Sequence, residues 1–416
     1  MNAQSTILAP NTGKFTPKTK TQKVYVEAWE LLAQAKIHAI KGTRYEIIDE
    51  VRKHFRRVVK YQFNKLASEF ASYLQYYYFN VRGDKVRGKK YSLLRERYNE
   101  LAYLENIVEG KFAEITFKLN NTRNPSQEIR KELDAVCENF KTYLSYDSHQ
   151  IRIYTYLLLN EQAHFNRDFD EIIRLSKTII TELESQKIER AFIFYKDLTI
   201  AFIVRGRYEE ARSTIKKAVR NVSKGSYSWS IYVYYQFILE IYSKDYQAAY
   251  RVFKQAESKR QINKAMHEQW LIVRAYVQFL IQTGHLEGST HFKFGKFFNE
   301  VPVFSADKEG NNINILILKI LLSIGKQNGK IIDQREAIEK YIERYLRHNK
   351  RARIFLKMLL QIPIGHFNKT TILYRTKKMW KELQTNPYSP GQNFELEIIP
   401  YEVLWEEVLS LLDKQN

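Results

Sequence analysis

An aromatic or apolar residue that follows a short turn recurs four times in the middle of the chain at a nearly constant spacing. The positions are 169, 208, 246 and 286, which are separated by 39, 38 and 40 residues. Each position follows an apolar stretch and opens another stretch in which apolar residues keep a helical spacing. A period of this length fits one pair of helices with its return loop, so the pattern predicts stacked helical hairpins.

The residues around the repeated position fit a tight turn between two closely packed helices. In the second unit Gly206 precedes Tyr208, and Ala211 and Ala218 follow it along the next predicted helix. Glycine permits the left-handed backbone of a helix-ending turn. The aromatic side chain fills the gap between the helices, and the small residues let the two helices approach.

These residues resemble the tetratricopeptide repeat family over roughly residues 150 to 300, with the best match from Ala201 to Ala218. Ala249 and Ala256 match the same positions in the next unit. The resemblance implies a right-handed solenoid of antiparallel helix hairpins. The chain departs from the family in three respects: its units exceed the usual length of about 34 residues, the helix-ending proline is absent, and Phe237 replaces a small residue.

The fourth unit departs most from the pattern. Lys293 and Lys296 stand where its second helix should pack against the first. A lysine at a buried helix contact is unfavourable, because its ammonium group would lose water without gaining a partner. The sequence therefore predicts either a change of register or the end of the array at this point.

The periodicity and composition predict an all-α chain with four regions. Only 15 Gly and 8 Pro occur in 416 residues, which favours long helices. Residues 1 to 22 lack periodicity and are predicted to be a disordered tail. Residues 23 to 145 are predicted to form helical hairpins, 146 to 300 the repeats, and 301 to 416 a helical domain that caps the array.

Local signals add three finer predictions. Gly83 and Gly88 predict a basic turn between two helices. Residues 351 to 361 are predicted to form a helix that ends before Pro363. Residues 394 to 399 alternate between apolar and polar side chains, which predicts a short extended segment before the last helix.

The composition narrows the classes of function and location. A single cysteine, Cys137, excludes an intramolecular disulfide and fits a reducing compartment, so a cytoplasmic location is expected. No signal peptide and no apolar run of 18 residues is present, which argues against integral membrane association. The 67 Lys and Arg exceed the 46 Asp and Glu by 21, which favours nucleic acid, an anionic membrane or an acidic protein as partner, or else a basic surface with no binding role.

No catalytic motif stands out. The nine histidines show no HExxH spacing, and the glycines at 325 and 329 lack the spacing and hydroxyl residue of a phosphate-binding loop. No serine-centred elbow or paired carboxylates occur in a recognisable arrangement. The sequence therefore predicts a binding protein rather than an enzyme, with no cofactor and no metal site.

The resemblance also implies a binding surface on the first helices of the repeats. Transferring the family's groove position gives Leu157, Lys196, Tyr234 and Arg274, with Glu161 and Gln278 one turn further along. Lys196 and Arg274 are expected to bind a carboxylate, and Tyr234 offers a flat apolar contact. The alternative is an ordinary solvated helical face.

Two basic clusters are candidates for binding an anion or a nucleic acid. The first comprises Arg82, Lys85, Arg87, Lys89 and Lys90. The second lies between residues 344 and 381, which contain eleven cations and no acidic residue: Arg344, Arg347, Lys350, Arg351, Arg353, Lys357, Lys369, Arg375, Lys377, Lys378 and Lys381. Such stripes can neutralise phosphates. The acidic segment from 394 to 413 offers the alternative of internal ion pairs.

Three functions remain open at this point. The first is a scaffold that binds a protein or peptide, and an acidic partner is expected. The second is nucleic-acid binding through the two basic clusters. The third is a peptide-sensing regulatory receptor, because the chain is similar to bacterial peptide-pheromone receptors of repeat architecture, although it shows no N-terminal DNA-binding helix-turn-helix.

Overall fold

The computed structural model of the protein describes most of the chain. The described residues are 17, 19–121, 127–186, 188–258, 262–263, 266–290, 292–293, 311–324, 330–347, 349–388 and 397–413. Every regular element in them is a helix, which confirms the all-α prediction. Within those same ranges no helix is both long enough and apolar enough to cross a membrane.

Six helices are described in the first third of the chain. They are α1 (Lys20–Lys41), α2 (Ile48–Lys60), α3 (Asn64–Tyr76), α4 (Lys85–Asn121), α5 (Gln127–Thr142) and α6 (His149–Phe165). A π-helical turn, Tyr77–Val81, follows α3, and the 3-10 turns Arg44–Glu46 and Tyr143–Ser145 precede α2 and α6.

The helices of the middle third are α7 (Phe169–Ser185), α8 (Phe192–Val204), α9 (Tyr208–Arg220), α10 (Tyr227–Tyr242), α11 (Tyr246–Ser258) and α12 (His267–Gln282). The C-terminal third contains α13 (Asn311–Ile324), α14 (Lys330–Tyr345), α15 (Lys350–Leu359), α16 (Gln361–Ile364), α17 (Lys369–Gln384) and α18 (Tyr401–Asp413).

The chain divides into two compact units. Unit 1 comprises Met1–Thr116 and Asp134–Thr155, and unit 2 comprises Phe117–Leu133 and Tyr156–Asn416. In unit 1, α1, α2 and α3 pack on one another around a core that includes Val51 and Phe70. Aromatic stacking extends this core, because the rings of Tyr78 and Tyr91 lie parallel with their centres 5.5 Å apart.

The repeated turn of the sequence is built in the same way four times in unit 2. The residue two positions before each repeated apolar residue has a left-handed backbone, with φ of 58° at Arg167, 69° at Gly206, 60° at Lys244 and 86° at Gly284. In each turn the next amide donates to a carbonyl five residues back, as Arg207 does to Phe202 at 2.8 Å. This is the Schellman arrangement that ends a helix, and it directs the chain into the next element.

Consecutive helices of the middle third pack on each other from α7 through α11, and α8 also packs on α10. The small residues predicted at the close contacts are buried, because Ala211, Ala218 and Ala249 expose no surface and Ala256 exposes 2%. These residues let neighbouring backbones approach within the distance that ridge-and-groove packing requires.

The fourth unit differs from the first three. Leu286 is buried at the predicted position, yet residues 286 to 290 form no helix. Two glycines at 284 and 288 and the polar residues after them are poor helix formers. The carbonyl of Ser289 instead accepts a hydrogen bond from the hydroxyl of Tyr250 at 3.1 Å. Lys293 is described and non-helical, whereas Lys296 lies outside the described residues.

Two local predictions were wrong. Gly83 lies in the turn with a φ of 63°, but Gly88 lies inside α4, where a Cβ atom would come within 2.5 Å of the Phe79 ring. Glycine is therefore used at 88 for close packing and not for a turn. Pro363 lies within the short helix α16, and the preceding helix already ends at Leu359, before the proline is reached.

The remaining predictions fall partly outside the described residues. The predicted tail is described only at residues 17 and 19–22, and α1 begins at Lys20. Of the predicted extended segment, residues 394 to 396 are not described, and residues 397 to 399 are irregular backbone before α18.

Candidate partner-binding site

The predicted groove residues occupy equivalent positions in unit 2. Leu157, Lys196, Tyr234 and Arg274 each lie ten residues before a left-handed turn residue, on α6, α8, α10 and α12. All four are partly exposed, as are Glu161 and Gln278 one turn further along. We call these six residues the inner stripe. The recurrence of the turn explains their equivalence, because it fixes where each first helix ends.

The inner stripe is narrow on α8, because that helix is buried on almost every side. Between Phe194 and Ile203 of α8, Lys196 is the only residue that keeps partial exposure. A helix that is apolar all round is a core helix. On α8 the predicted binding surface therefore consists of one side chain that reaches the surface from a buried helix.

Several side chains of the inner stripe already have partners inside unit 2. The Nε atom of Arg274 lies 2.7 Å from Oε1 of Glu257 on α11. The side-chain oxygen of Gln278 accepts a hydrogen bond from Thr290 at 2.5 Å, and the hydroxyl of Tyr234 accepts one from Gln269 at 3.0 Å. An acidic partner must therefore compete with Glu257 for Arg274.

A polar cluster lies beside Lys196 that sequence reasoning identified only in part. Asp197 on α8 has its Oδ1 atom 3.7 Å from Nζ of Lys196 and 3.9 Å from Nε2 of His164 on α6. The side-chain nitrogen of Asn160 donates to the other carboxylate oxygen of Asp197 at 3.3 Å. Asn160, His164 and Asp197 are all buried. The sequence carried a signal for this cluster, since Asp197 is the one acidic residue of α8, a helix that is mostly apolar.

Burial shifts two pKa values in this cluster. Burial, together with the charge of Asp197, raises the pKa of Glu161 to about 7, and Lys196 opposes the rise. Burial also lowers the pKa of His164 to about 4, so the imidazole is neutral at physiological pH. Glu161 therefore changes its charge near neutral pH. In this range the binding of a charged partner can change the protonation of its carboxyl group.

The first basic cluster lies in unit 1 at the start of α4. Arg82, Lys85, Arg87, Lys89 and Lys90 are all exposed, in the turn and the first two helical turns. Arg87 also lies 3.5 Å from Asp84 and over the ring of Tyr78. Tyr77 and Tyr78 are buried, so neither ring is available to stack on a base. Tyr76 is exposed, but the guanidinium of Arg44 lies 4.2 Å from its ring centre.

The second basic cluster is partly paired, and Arg351 does not belong on its surface. Arg351 is buried and donates hydrogen bonds to the carboxylates of Glu397 and Glu402. Lys369 pairs with Asp413, and Lys350 lies 3.2 Å from Glu382. Internal pairing with the acidic segment thus accounts for Arg351 and Lys369. For Arg351 the pairing is needed, because a buried guanidinium requires carboxylate partners to offset its lost hydration.

The other cations of this cluster stay on the surface. Arg344 lies over the ring of Tyr345, Arg347 donates to the carbonyl of Glu343, and Arg375 donates to Gln361. The remaining cations are exposed and make no ion pair with any residue that the structure describes: Arg353, Lys357, Lys377, Lys378 and Lys381.

Neither a metal site nor a reactive thiol emerges from the described part of the chain. No three His, Cys, Asp or Glu side chains there are grouped as a metal ion would require. Cys137 is buried in unit 1, and burial raises its pKa to about 12, so the thiol stays protonated and inert.

Comparison with protein-family models, curated proteins and solved structures found no match to this chain.

Proposed function

We propose that the protein is a tetratricopeptide-like repeat protein that binds a protein or peptide segment along the inner stripe. The observation that carries the proposal is the repeated left-handed turn at 167, 206, 244 and 284. A turn that recurs at this period ends the first helix of each repeat at the same position. Successive first helices therefore present equivalent side chains one after another. Serial presentation of single side chains suits an extended peptide better than a small molecule.

The contacts within unit 2 support a stacked-hairpin architecture for the repeats. The packing of α8 on both α9 and α10 is the arrangement in which one first helix touches its own second helix and the next first helix. We propose that the helices from α13 onward cap this array. In support, α13 packs on α12, and the hydroxyl of Tyr276 lies 2.8 Å from the side-chain oxygen of Asn314.

The partner that the inner stripe suits has mixed chemistry. Leu157 and Tyr234 offer apolar contact, whereas Lys196 and Arg274 offer cations that are held near Asp197 and Glu257. We retain an acidic partner because of the excess of 21 positive charges on the chain, which steers acidic molecules toward it. The proposed role is presentation and assembly in a reducing compartment such as the cytoplasm, without catalysis.

The test is capture of a partner from the native lysate, with and without nuclease, by three forms of the full chain. The forms are the wild type, a Lys196→Gln/Arg274→Gln variant, and a control Lys216→Gln/Lys217→Gln variant with the same change of charge on exposed residues of α9. Glutamine is preferred to glutamate at 274, because a new carboxylate there would face Glu257 and threaten the fold.

We expect one defined, nuclease-resistant protein to be captured by the wild type and the control, and lost from the inner-stripe variant. Equal capture by all three forms would remove the inner stripe from the binding site. Both variants should keep the wild-type circular dichroism spectrum, because the substituted side chains are at least partly exposed.

Nucleic-acid binding is the second candidate, and the cluster at the start of α4 favours it. Lys85, Lys89 and Lys90 are exposed and make no ion pair with a described residue. If nucleic acid is the partner, nuclease and moderate salt should both abolish capture, because phosphate contacts release counterions. A Lys85→Gln/Lys89→Gln/Lys90→Gln variant should then lose binding, whereas the inner-stripe variant should keep it.

A further inference from the structure

A cavity of about 490 Å³ opens between α17 and α18, away from the six residues of the inner stripe. Its walls are aromatic and aliphatic: Leu373, Tyr374 and Trp380 from α17, and Trp405 and Leu409 from α18. The volume falls within the range of roughly 300 to 1,000 Å³ that is typical of ligand pockets. A cavity with such walls suits an apolar group.

The rim of this cavity exposes apolar surface that the fold leaves uncovered. Tyr374 is 83% exposed and Leu373 is 41% exposed. Trp405, which lines the cavity from α18, is almost fully buried. Large aromatic side chains around a preformed pocket are the residues that contribute most binding energy at protein interfaces.

Three lysines lie in or beside the wall that α17 contributes to the cavity. Lys377 lines it, and Lys378 and Lys381 lie on the same exposed side of α17 at spacings of one and four residues. None of the three makes an ion pair with a residue that the structure describes, whereas Glu382 and Asp413 nearby are paired with Lys350 and Lys369. An incoming carboxylate would therefore meet lysines whose charges are not yet neutralised.

One carboxylate, that of Glu406, also lines the cavity and distinguishes among anionic partners. A phosphate backbone or a charged membrane surface presents a continuous row of negative charges, which Glu406 would repel. A protein segment can place one apolar side chain beside Glu406 and its carboxylates beside the lysines. The charge pattern therefore favours a peptide over nucleic acid and lipid.

We propose that the cavity between α17 and α18 is a docking site for an acidic protein segment that inserts one bulky apolar side chain between Trp380 and Trp405. The segment adopts the familiar arrangement of an apolar anchor in a helix-lined groove with charged flanks outside it. Lys377, Lys378 and Lys381 contact its Asp or Glu residues, and the ring of Tyr374 covers the anchor. This site is independent of the inner stripe.

The experiment selects displayed random 12-residue peptides on the full-length chain and compares three forms of it. The test variant is Tyr374→Ala/Lys377→Glu. The matched control is Tyr227→Ala/Lys224→Glu, which changes the same residue types at the same spacing on another exposed surface. All four side chains are exposed, so both variants should fold.

We expect the enriched peptides to share an aromatic or leucine anchor with acidic residues beside it. Their affinity should fall at least about tenfold on the test variant and stay unchanged on the control. Their binding should also change the fluorescence of the wild-type chain, and a Trp380→Phe variant should show a smaller change, because only Trp405 then reports from the cavity.

Three results would overturn the proposal. The first is the absence of any enriched peptide, and the second is equal affinity for the wild type and the test variant. The third is that no peptide is enriched, while a single-stranded oligonucleotide or anionic phospholipid vesicles bind the wild type and not the test variant. That result would assign the surface to nucleic acid or membrane.

Discussion

The Nε atom of Arg351 lies 2.7 Å from Oε1 of Glu397, and both side chains are at least nine-tenths buried. The same guanidinium donates to Glu402 on α18 at 2.7 and 2.8 Å and to the carbonyl of Asn386 after α17. Glu397 in turn accepts from the amide of Tyr401 at the start of α18. One buried cation thus holds together the ends of three helices, α15, α17 and α18.

We predict that Arg351→Met lowers the free energy of unfolding by about 3 to 5 kcal/mol, because Glu397 is left buried without a counter-charge. Arg353→Met is the control. Arg353 is exposed and makes no ion pair with a described residue, so its replacement should change stability by less than about 0.5 kcal/mol. Chemical denaturation of the three proteins checks both values, and similar losses for the two variants would contradict the assignment.

The raised pKa of Glu161 makes stability depend on pH with a definite sign. Burial and the charge of Asp197 raise the pKa in the folded state to about 7 from an ordinary value of 4.5. The folded state therefore binds more protons than the unfolded state between these values. The stabilisation is complete below about pH 4.5 and is lost as the pH rises through 7.

We therefore predict that Glu161→Gln is more stable than the wild type at pH 8, and that the difference shrinks as the pH falls toward 4.5. His164 acts in the opposite direction, since its lowered pKa destabilises the fold as the pH falls from 6.5 to about 4. Comparing the variant with the wild type at each pH removes that contribution. The control Glu268→Gln makes the same substitution at an exposed position and should change stability by less than about 0.5 kcal/mol at each pH.

The repeated turns could be predicted from the sequence because their determinants are local. A small or polar residue and an aromatic or apolar residue two positions later lie within one short segment. In the second and third units an alanine follows three positions after that, as at Gly206, Tyr208 and Ala211. The hydrogen bonds that define the turn also join residues only three and five apart. Local chemistry therefore determines the period and the ends of these helices.

The role of Arg351 could not be predicted, because its partners Glu397 and Glu402 lie 46 and 51 residues away. Eleven neighbouring cations look alike in the sequence, and only tertiary packing decides which of them is buried. The same reason explains why a partner of the inner stripe could not be predicted. The spacing assigns Lys196 and Arg274 to equivalent positions of their helices, but Glu257 lies 17 residues before Arg274 and meets it only through helix packing.

We predict that Ala211→Trp lowers the free energy of unfolding by roughly 1 to 3 kcal/mol or more, because Ala211 is fully buried at a contact between helices. Ser213→Trp adds the same side chain on an exposed position of the same helix and should be nearly neutral. Thermal unfolding followed by circular dichroism checks the pair. A neutral Ala211→Trp would show that the proposed close contact is absent.

Two glycines of α4 give opposite predictions for the same substitution. Around Gly110 an added Cβ meets no atom within 4 Å, so Gly110→Ala should raise the free energy of unfolding by about 0.5 to 1 kcal/mol. At Gly88 the added Cβ lies 2.5 Å from the Phe79 ring, which must move. Gly88→Ala should therefore be at least about 1 kcal/mol less stable than Gly110→Ala. Equal gains would show that Phe79 does not pack against this glycine.

The left-handed turns allow a test of backbone strain at equivalent positions. At Gly206 a Cβ would find open space, so any loss in Gly206→Ala comes from its φ of 69° and should be about 1 kcal/mol. Lys244 holds a φ of 60° without being glycine. Lys244→Gly relieves strain of roughly 1 to 2 kcal/mol, and the added unfolded-state entropy costs about 0.5 to 1 kcal/mol. The variant should therefore gain up to about 1.5 kcal/mol. The denaturant midpoint of each variant is compared with that of the wild type. Shifts in the same direction for the two variants would mean that the two turns are not built alike.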